Sequence, residues 1–333
     1  MDGIEVVGVF NPAACKFQDE YILVVRVAEM CIQTEGWFKI PIMNFTGERP
    51  QLEIKSWKQG EINLSDPRKF WAGPYRYLSS ISHLRLARST DGVHFTFSDN
   101  PFMFADLTNE AFGVEDARIT QIGDTCYLTY TAVSINSFGV SLAGTVDFQT
   151  VQRYGMILAP ENKDSCLFPE KINGKYVALH RPSSDNFGRP SVWYCESPDL
   201  LHWGNHSCLL APYENQWERQ KIGVGPQPLK TSDGWLVMYH GCGDDSVYSL
   251  HLCLLDLNDP RKVLKRTSEP VFVPETDWEK NGFFPNVVFC NGWIREPDDR
   301  VLIYYGAADS CICVAETTVN DLMGFLDRGK SKR

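Results

Sequence analysis

The 333-residue sequence predicts an all-β protein, a β-propeller of five or six blades, on three observations. Short alternating runs flank polar turns at a near-regular spacing. A second kind of turn, marked by Asp, follows most of them. Between the two kinds there is no sustained helical periodicity. Repetition of this sort is the signature of a radial β architecture.

The first hairpin is read at 15–25, around Gln18-Asp19. Others follow at 121–130 (turn Gly123-Asp124), 171–179 (Asn173-Gly174), 230–239 (Asp233-Gly234) and, more loosely, 293–305 (Asp298-Asp299). Each places Gly, Asn or Asp between β-formers, the residues that tolerate the backbone of a tight hairpin. The second class lies at 86–92, 144–148, 195–200 and 254–259, with Asp91, Asp147, Asp199 and Asp256 at the turns. Two hairpins make about four strands, and the unit recurs every roughly 50–60 residues, the size of a propeller blade. The stretch 64–80 reads as half a blade or a whole one, which leaves the count at five or six. Helical pieces near 275–281 and 318–326 are minor. No composition break divides the chain, so residues 1–333 are expected to form one domain with a short tail from about 327.

An apolar content of 43% is that of a globular protein. No run approaches the ~18 continuous apolar residues of a membrane helix. The start, Met1-Asp2-Gly3-Ile4-Glu5, carries acid where a secretory signal carries base. A cytoplasmic location is therefore expected, although Ser331-Lys332-Arg333 half resembles a peroxisome-type address. With 32 basic against 42 acidic residues, the net charge of -10 argues against nucleic acid and anionic membranes as partners. The eleven cysteines are scattered singly, apart from Cys311 and Cys313, and read as free, mostly buried thiols. Their spacing suggests no metal site.

Propellers bind ligands at the mouth of the central channel, where equivalent positions of the repeats converge. The candidates are polar residues at the ends of the inner hairpins: Asn11, Arg26, Asp66, Glu115, Asp116, Glu170, His180, Arg181, Lys221, His240 and Asp309. Arg26, Arg181 and His240 all end apolar strands at the same repeat phase. Cations meeting at one channel mouth cost energy unless an anion resides there. Glu115-Asp116 suits glycosyl transfer, in which a carboxylic acid protonates the leaving oxygen. An inverting hydrolase would need a second carboxylate to activate water. With phosphate as nucleophile that base is dispensable and cations replace it.

Several blocks resemble glycoside hydrolase family 130, the β-mannoside phosphorylases and related β-mannosidases. They are Phe112-Gly113-Val114-Glu115-Asp116-Ala117-Arg118, Phe168-Pro169-Glu170-Lys171, Leu179-His180-Arg181-Pro182, Tyr239-His240-Gly241 and Gly282-Phe283-Phe284, in family order along nearly the whole chain. The resemblance is strongest to members acting on β-1,2-mannosides. It implies a five-bladed propeller and an inverting mechanism with one essential acid, Asp116. The proton passes through the 3-hydroxyl of the mannosyl unit while phosphate attacks the anomeric carbon, giving α-mannose 1-phosphate. Matching positions suggest Asn11, Arg26 and Asp309 for the mannosyl unit, and Asp66, Glu115 and Glu170 complete the substrate set read above. Lys163, Arg181, Lys221 and His240 would hold phosphate, the co-substrate, and no cofactor is implied. The implied partners are a β-1,2-mannooligosaccharide, phosphate and mannose 1-phosphate. A protozoan branch of mannosyltransferase/phosphorylases leaves GDP-mannose open as a donor, and homo-oligomerisation is also left open. Ala117 stands where the family usually has Pro, which should loosen that turn and spare the carboxyls.

Overall fold

The computed structural model describes residues 3–66, 68–184 and 186–328, and the address-like Ser331-Lys332-Arg333 lies outside them. Strands dominate, in antiparallel runs that follow chain order. The first run comprises Ile4–Phe17, Glu20–Cys31 and Ser80–Ser89, with the short Thr96–Phe97 at its edge. The second comprises Gly113–Ile122, Thr125–Val133, Phe138–Thr145 and Gln152–Leu158. These two share one sheet only through a single parallel pair, Ser82 with Gly113. A four-stranded sheet follows: Asn162–Leu167, Tyr176–Pro182, Val192–Ser197 and Gly204–Leu210. The next is built on Lys221–Val224, Trp235–Cys242, Tyr248–Leu255 and Val263–Arg266, and the last on Val288–Arg295, Arg300–Ala307 and Cys311–Thr318.

The turns explain why the strands reverse where they do. At Phe17/Glu20 and Ile122/Thr125 the paired residues close two-residue hairpins, with Gln18 and Gly123 in the left-handed region. The Asp-marked turns also recur. The Asp91 carboxylate accepts the backbone N–H groups of Val93 and His94, Asp147 those of Gln149 and Thr150, Asp199 those of Leu201 and His202, and Asp256 those of Asn258 and Asp259. A short acceptor side chain thus replaces the ladder partners that a turn loses.

Apolar residues on both faces of the strands fill the spaces between runs. Ile22, Leu84, Val114 and Leu128 join the first to the second. Leu142, Leu158, Leu167 and Ala178 join the second to the third. Leu179, Tyr194, Ile222 and Val237 join the third to the fourth. Met238, Leu252, Val288 and Ile303 join the fourth to the fifth. Leu23, Val25, Ile294 and Tyr304 join the fifth back to the first.

The stretch 64–80 departs from its expected place in a blade. Lys69–Ala72 and Tyr75–Leu78 pair only with each other, as do Trp37–Asn44 and Gln51–Lys58. They pack through Phe38, Phe70, Tyr77 and Phe112 as an insertion beside the second run. The two expected helical pieces occur at Asp277–Lys280 and Val319–Arg328.

Candidate active site

The first strand of four of the five runs, all but Lys221–Val224, carries a local break in its ladder. The ladder shifts register between Phe10 and Ala13, between Glu115 and Arg118, and between Lys163 and Cys166. The residues in the breaks, Asn11, Asp116 and Asp164, have φ values of 50°, 49° and 50°. Asn and Asp are the non-glycine residues that best accept this left-handed backbone. A bulge releases its residue from the ladder and re-aims its side chain. A fourth shift flanks Asn291, between Cys290 and Gly292.

The bulged residues meet although more than a hundred positions separate some of them. Asn11 Nδ2 donates to Asp116 Oδ1 at 3.0 Å, and Arg26 Nη1 donates to the same oxygen at 3.1 Å. Arg26 Nη2 bonds Glu115 Oε1 at 2.8 Å, and its Nε bonds Ser82 Oγ at 3.0 Å. Burial pushes the Asp116 pKa up. Arg26 first, then Lys163, Arg118 and the Asn11 hydrogen bond, pull it below the usual carboxylate value. Asp309, half-buried on the turn after Arg300–Ala307, goes the other way. Its desolvation outweighs the nearby Arg26, and Asp116 adds repulsion, so its pKa rises to about 6.

A second cluster adjoins this one through Arg118. Its Nη1 donates to the Asp116 carbonyl at 2.9 Å and its Nη2 to Asp164 Oδ1 at 3.2 Å. The other oxygen of Asp164 faces Arg181 Nη2 at 3.0 Å and His240 Nε2 at 3.4 Å. All four are buried. Arg181 Nε is also buried and has no hydrogen-bond partner among the described residues. Lys221 lies beside Arg181, Lys163 and Arg68, and burial with this repulsion lowers its pKa to about 8. Neither Lys163 nor Lys221 has a carboxylate partner among the described residues; the Tyr248 ring centre lies 5.2 Å from Lys221 Nζ. Arg181, Lys163 and Lys221, gathered beside one another, make a basin that an anion stabilises.

Asn11, Arg26, Glu115 and Asp116 are thus hydrogen-bonded together, with Asp309 in electrostatic reach, while Arg181 and His240 contact Asp164 and Lys221 stands beside Arg181 and Lys163. Four expectations change. Glu170 lies beyond the outer end of Asn162–Leu167, the end opposite Lys163, and pairs at the surface with Lys230 at 2.6 Å. It belongs to neither cluster. His240 is no cation: burial lowers its pKa to about 4 against the pull of Asp164, so at neutral pH it is a polar, uncharged ring. His180 bonds Asn162 and His206 and not the basin. Asp66 is hydrogen-bonded to neither cluster among the described residues: it holds Arg68 at 3.1 Å, and the Arg68 guanidinium lies 4.0 Å over the Phe284 ring.

Sequence reasoning passed over Asp164, Arg118 and Arg68. Asp164 carried a signal: like Asn11 and Asp116, it is followed by a small or ring residue at the start of an inner strand. Arg118 stands two residues after Asp116, between the apolar Ala117 and Ile119. Arg68 gave none, because the insertion that delivers it breaks the repeat.

An all-β scaffold with a buried carboxyl beside a cluster of cations suits a carbohydrate-active protein that uses an anionic nucleophile. The sequence profile described as β-1,4-mannooligosaccharide phosphorylase matches residues 66–328. The chain belongs to this family, glycoside hydrolase family 130. It is 41% identical to a β-1,2-mannobiose phosphorylase of Listeria innocua, over 98% of this chain and 93% of that one. A 1,2-β-oligomannan phosphorylase of a Thermoanaerobacter species is 42% identical over 75% of this chain and 83% of the relative. The structure of the Listeria innocua enzyme in complex with β-1,2-mannobiose superposes with a TM-score of 0.95 at 40% identity, covering 98% of this chain and 94% of that one.

Proposed function

We propose that this chain catalyses reversible, inverting phosphorolysis of β-1,2-mannooligosaccharides, with α-mannose 1-phosphate as product and, in reverse, donor. The observation that carries the reading is the cluster of Lys163, Arg181 and Lys221, with Lys163 in electrostatic reach of Asp116. The profile's own description names a β-1,4 linkage. The β-1,2 linkage is preferred because three relatives above 40% identity are named for β-1,2-linked substrates.

In this scheme Asn11, Arg26 and Asp309 seat the terminal mannosyl unit. The Asp116 proton passes to the 3-hydroxyl of that unit as the hydroxyl's own proton moves to the glycosidic oxygen. Phosphate, held by Lys163, Arg181 and Lys221 with His240 as a polar neighbour, donates an oxygen lone pair to the anomeric carbon. The carbon–oxygen bond to the departing sugar breaks with its electron pair, and configuration inverts. No hydrolytic base is needed because the nucleophile is already anionic. Phosphate also prepares the acid. Its charge offsets Lys163, one of the cations that keep Asp116 ionised, so its arrival favours the protonated carboxyl.

The architecture of the proposal is one five-bladed propeller acting as a single catalytic domain. Five antiparallel runs, five apolar interfaces and the return of the last run to the first support it.

The test is incubation with β-1,2-mannobiose with and without phosphate. Phosphate-dependent formation of mannose 1-phosphate is expected. Release of free mannose alone, at an equal rate without phosphate, would make the protein a hydrolase.

A further inference from the structure

The third run carries a cluster that the phosphorolysis scheme leaves unused. His180, Cys195 and His206 come from three adjacent strands, Tyr176–Pro182, Val192–Ser197 and Gly204–Leu210. Their ligand-type atoms all lie within 4.8 Å of one another. His180 Nε2 is 3.1 Å from His206 Nδ1, with the rings nearly perpendicular at 82°. Two imidazole nitrogens on a tetrahedral zinc, each about 2.0–2.1 Å from the metal, stand roughly 3.3 Å apart. The observed spacing therefore fits with little movement.

The surroundings prepare the ligands. His180 Nδ1 faces Asn162 Oδ1 at 3.1 Å. An amide oxygen only accepts, so Nδ1 carries the hydrogen and Nε2 presents a lone pair to His206 and Cys195. This is the outer contact that orients metal-bound imidazoles. Cys195 is buried, its Sγ 3.8 Å from the Ala178 carbonyl, whereas His206 is exposed. A cleft of about 440 Å³, lined by Asn162, His180, Trp193, Trp203 and His206, opens in front of the two imidazoles. An ion can enter past His206 and keep a water as fourth ligand.

We propose that His180, Cys195 and His206 bind one zinc(II) ion. Binding replaces the thiol hydrogen of Cys195 by a sulfur–zinc bond and releases one proton, with no change of oxidation state. The ion would tie the outer strand Gly204–Leu210 to the inner part of its sheet. The cysteine spacing that argued against a metal could not reveal the site, because its ligands are adjacent across strands and distant along the chain.

The test uses the full-length, reduced protein freed of metal by chelation, titrated calorimetrically with zinc chloride and optically with cobalt(II). One tight site per chain is expected, with proton release, a thiolate-to-cobalt charge-transfer band and a raised thermal midpoint. Asn162→Ala should weaken zinc about 10–100-fold, as loss of an outer contact does. His206→Gln, at an exposed position that the fold does not need, should abolish the tight site and the metal-induced stabilisation. Cys195→Ala should remove the cobalt band, and where that core change unfolds the protein His206→Gln decides the matter. Cys208→Ser, at the neighbouring exposed thiol, should change none of these. Absence of a stoichiometric site, its survival in His206→Gln, or its loss in Cys208→Ser would each overturn the proposal.

Discussion

Asp116 takes both of its hydrogen bonds, from Asn11 and Arg26, on one oxygen, and its backbone already has the left-handed φ that Asn tolerates. Asp116→Asn should therefore fold normally, with a thermal midpoint close to that of the native chain. Loss of the proton donor should lower kcat by at least ~10²–10⁴-fold. Retention of a tenth of the activity would move the acid elsewhere, Glu115 being the nearest carboxyl. Lys221 and Arg181 should behave differently from each other. Lys221 is a cation crowded by Arg181, Lys163 and Arg68. Lys221→Met should raise the phosphate KM roughly tenfold to a hundredfold, the worth of one charge-assisted contact of about 1.5–3 kcal/mol. It should leave the thermal midpoint unchanged or higher. Arg181→Ala removes a partner of the buried Asp164 and should lose stability as well, by about 3–5 kcal/mol. Steady-state kinetics and thermal melts on the two variants separate these outcomes. Because Lys221 loses its proton near pH 8, phosphate affinity should also decline above that pH.

At the scale of strands, two glycines let neighbouring elements approach the bulges. A Cβ on Gly306 would stand 2.2 Å from Asn11 Oδ1, and one on Gly223 would stand 2.5 Å from Asp164 Oδ2. Gly306→Ala must push Asn11 off Asp116 and is expected to depress kcat, up to ~10²-fold for a displacement of about 1 Å. Gly223→Ala displaces Asp164 and His240 and should act chiefly on the phosphate KM. Equal effects of both variants on kcat and KM would mean that the two clusters do not work as separate units. The hairpins and Asp-marked turns of these strands were legible in the sequence, because turn chemistry and alternation are set by residues a few positions apart. The bulges were not, since a register shift is a relation between two strands. The insertion at 69–78 was misread as part of a blade for the same reason: its alternation is ordinary, and only its pairing sets it aside.

Across the whole molecule, four buried imidazoles govern the response to acid. Burial lowers the pKa of His83 and His240 to about 4 and that of His180 and His251 to about 3. The unfolded chain binds these protons as pH falls through 6.5, and the folded chain does not until 3–4, so stability falls across that window. Asp309 opposes them. Its folded pKa of about 6 exceeds the unfolded 3.8, so the folded state takes that proton first and gains stability as pH drops between the two. Burial likewise pushes the Glu218 carboxyl up, but four imidazoles outweigh two carboxyls, and the thermal midpoint should decrease steadily from about pH 6.5 to 4. A flat profile would mean that the imidazoles are already charged in the fold.

The sequence by itself determined the all-β class, the hairpin positions and the family, and it drew attention to Glu115-Asp116 and to the basic strand ends. Those properties rest on local alternation, turn residues and contiguous blocks. Only the tertiary structure decided which charges meet. It set Asn11 against Asp116, brought Asp164 and Arg118 between the two clusters and Arg68 in from the insertion. It left Glu170 at the surface, His240 uncharged and His180 on the far side with His206 and Cys195. Coulomb forces and desolvation act through space, and space around an inner strand is shared by residues from every run. Position along the chain therefore predicts a strand well and a charge's partner poorly.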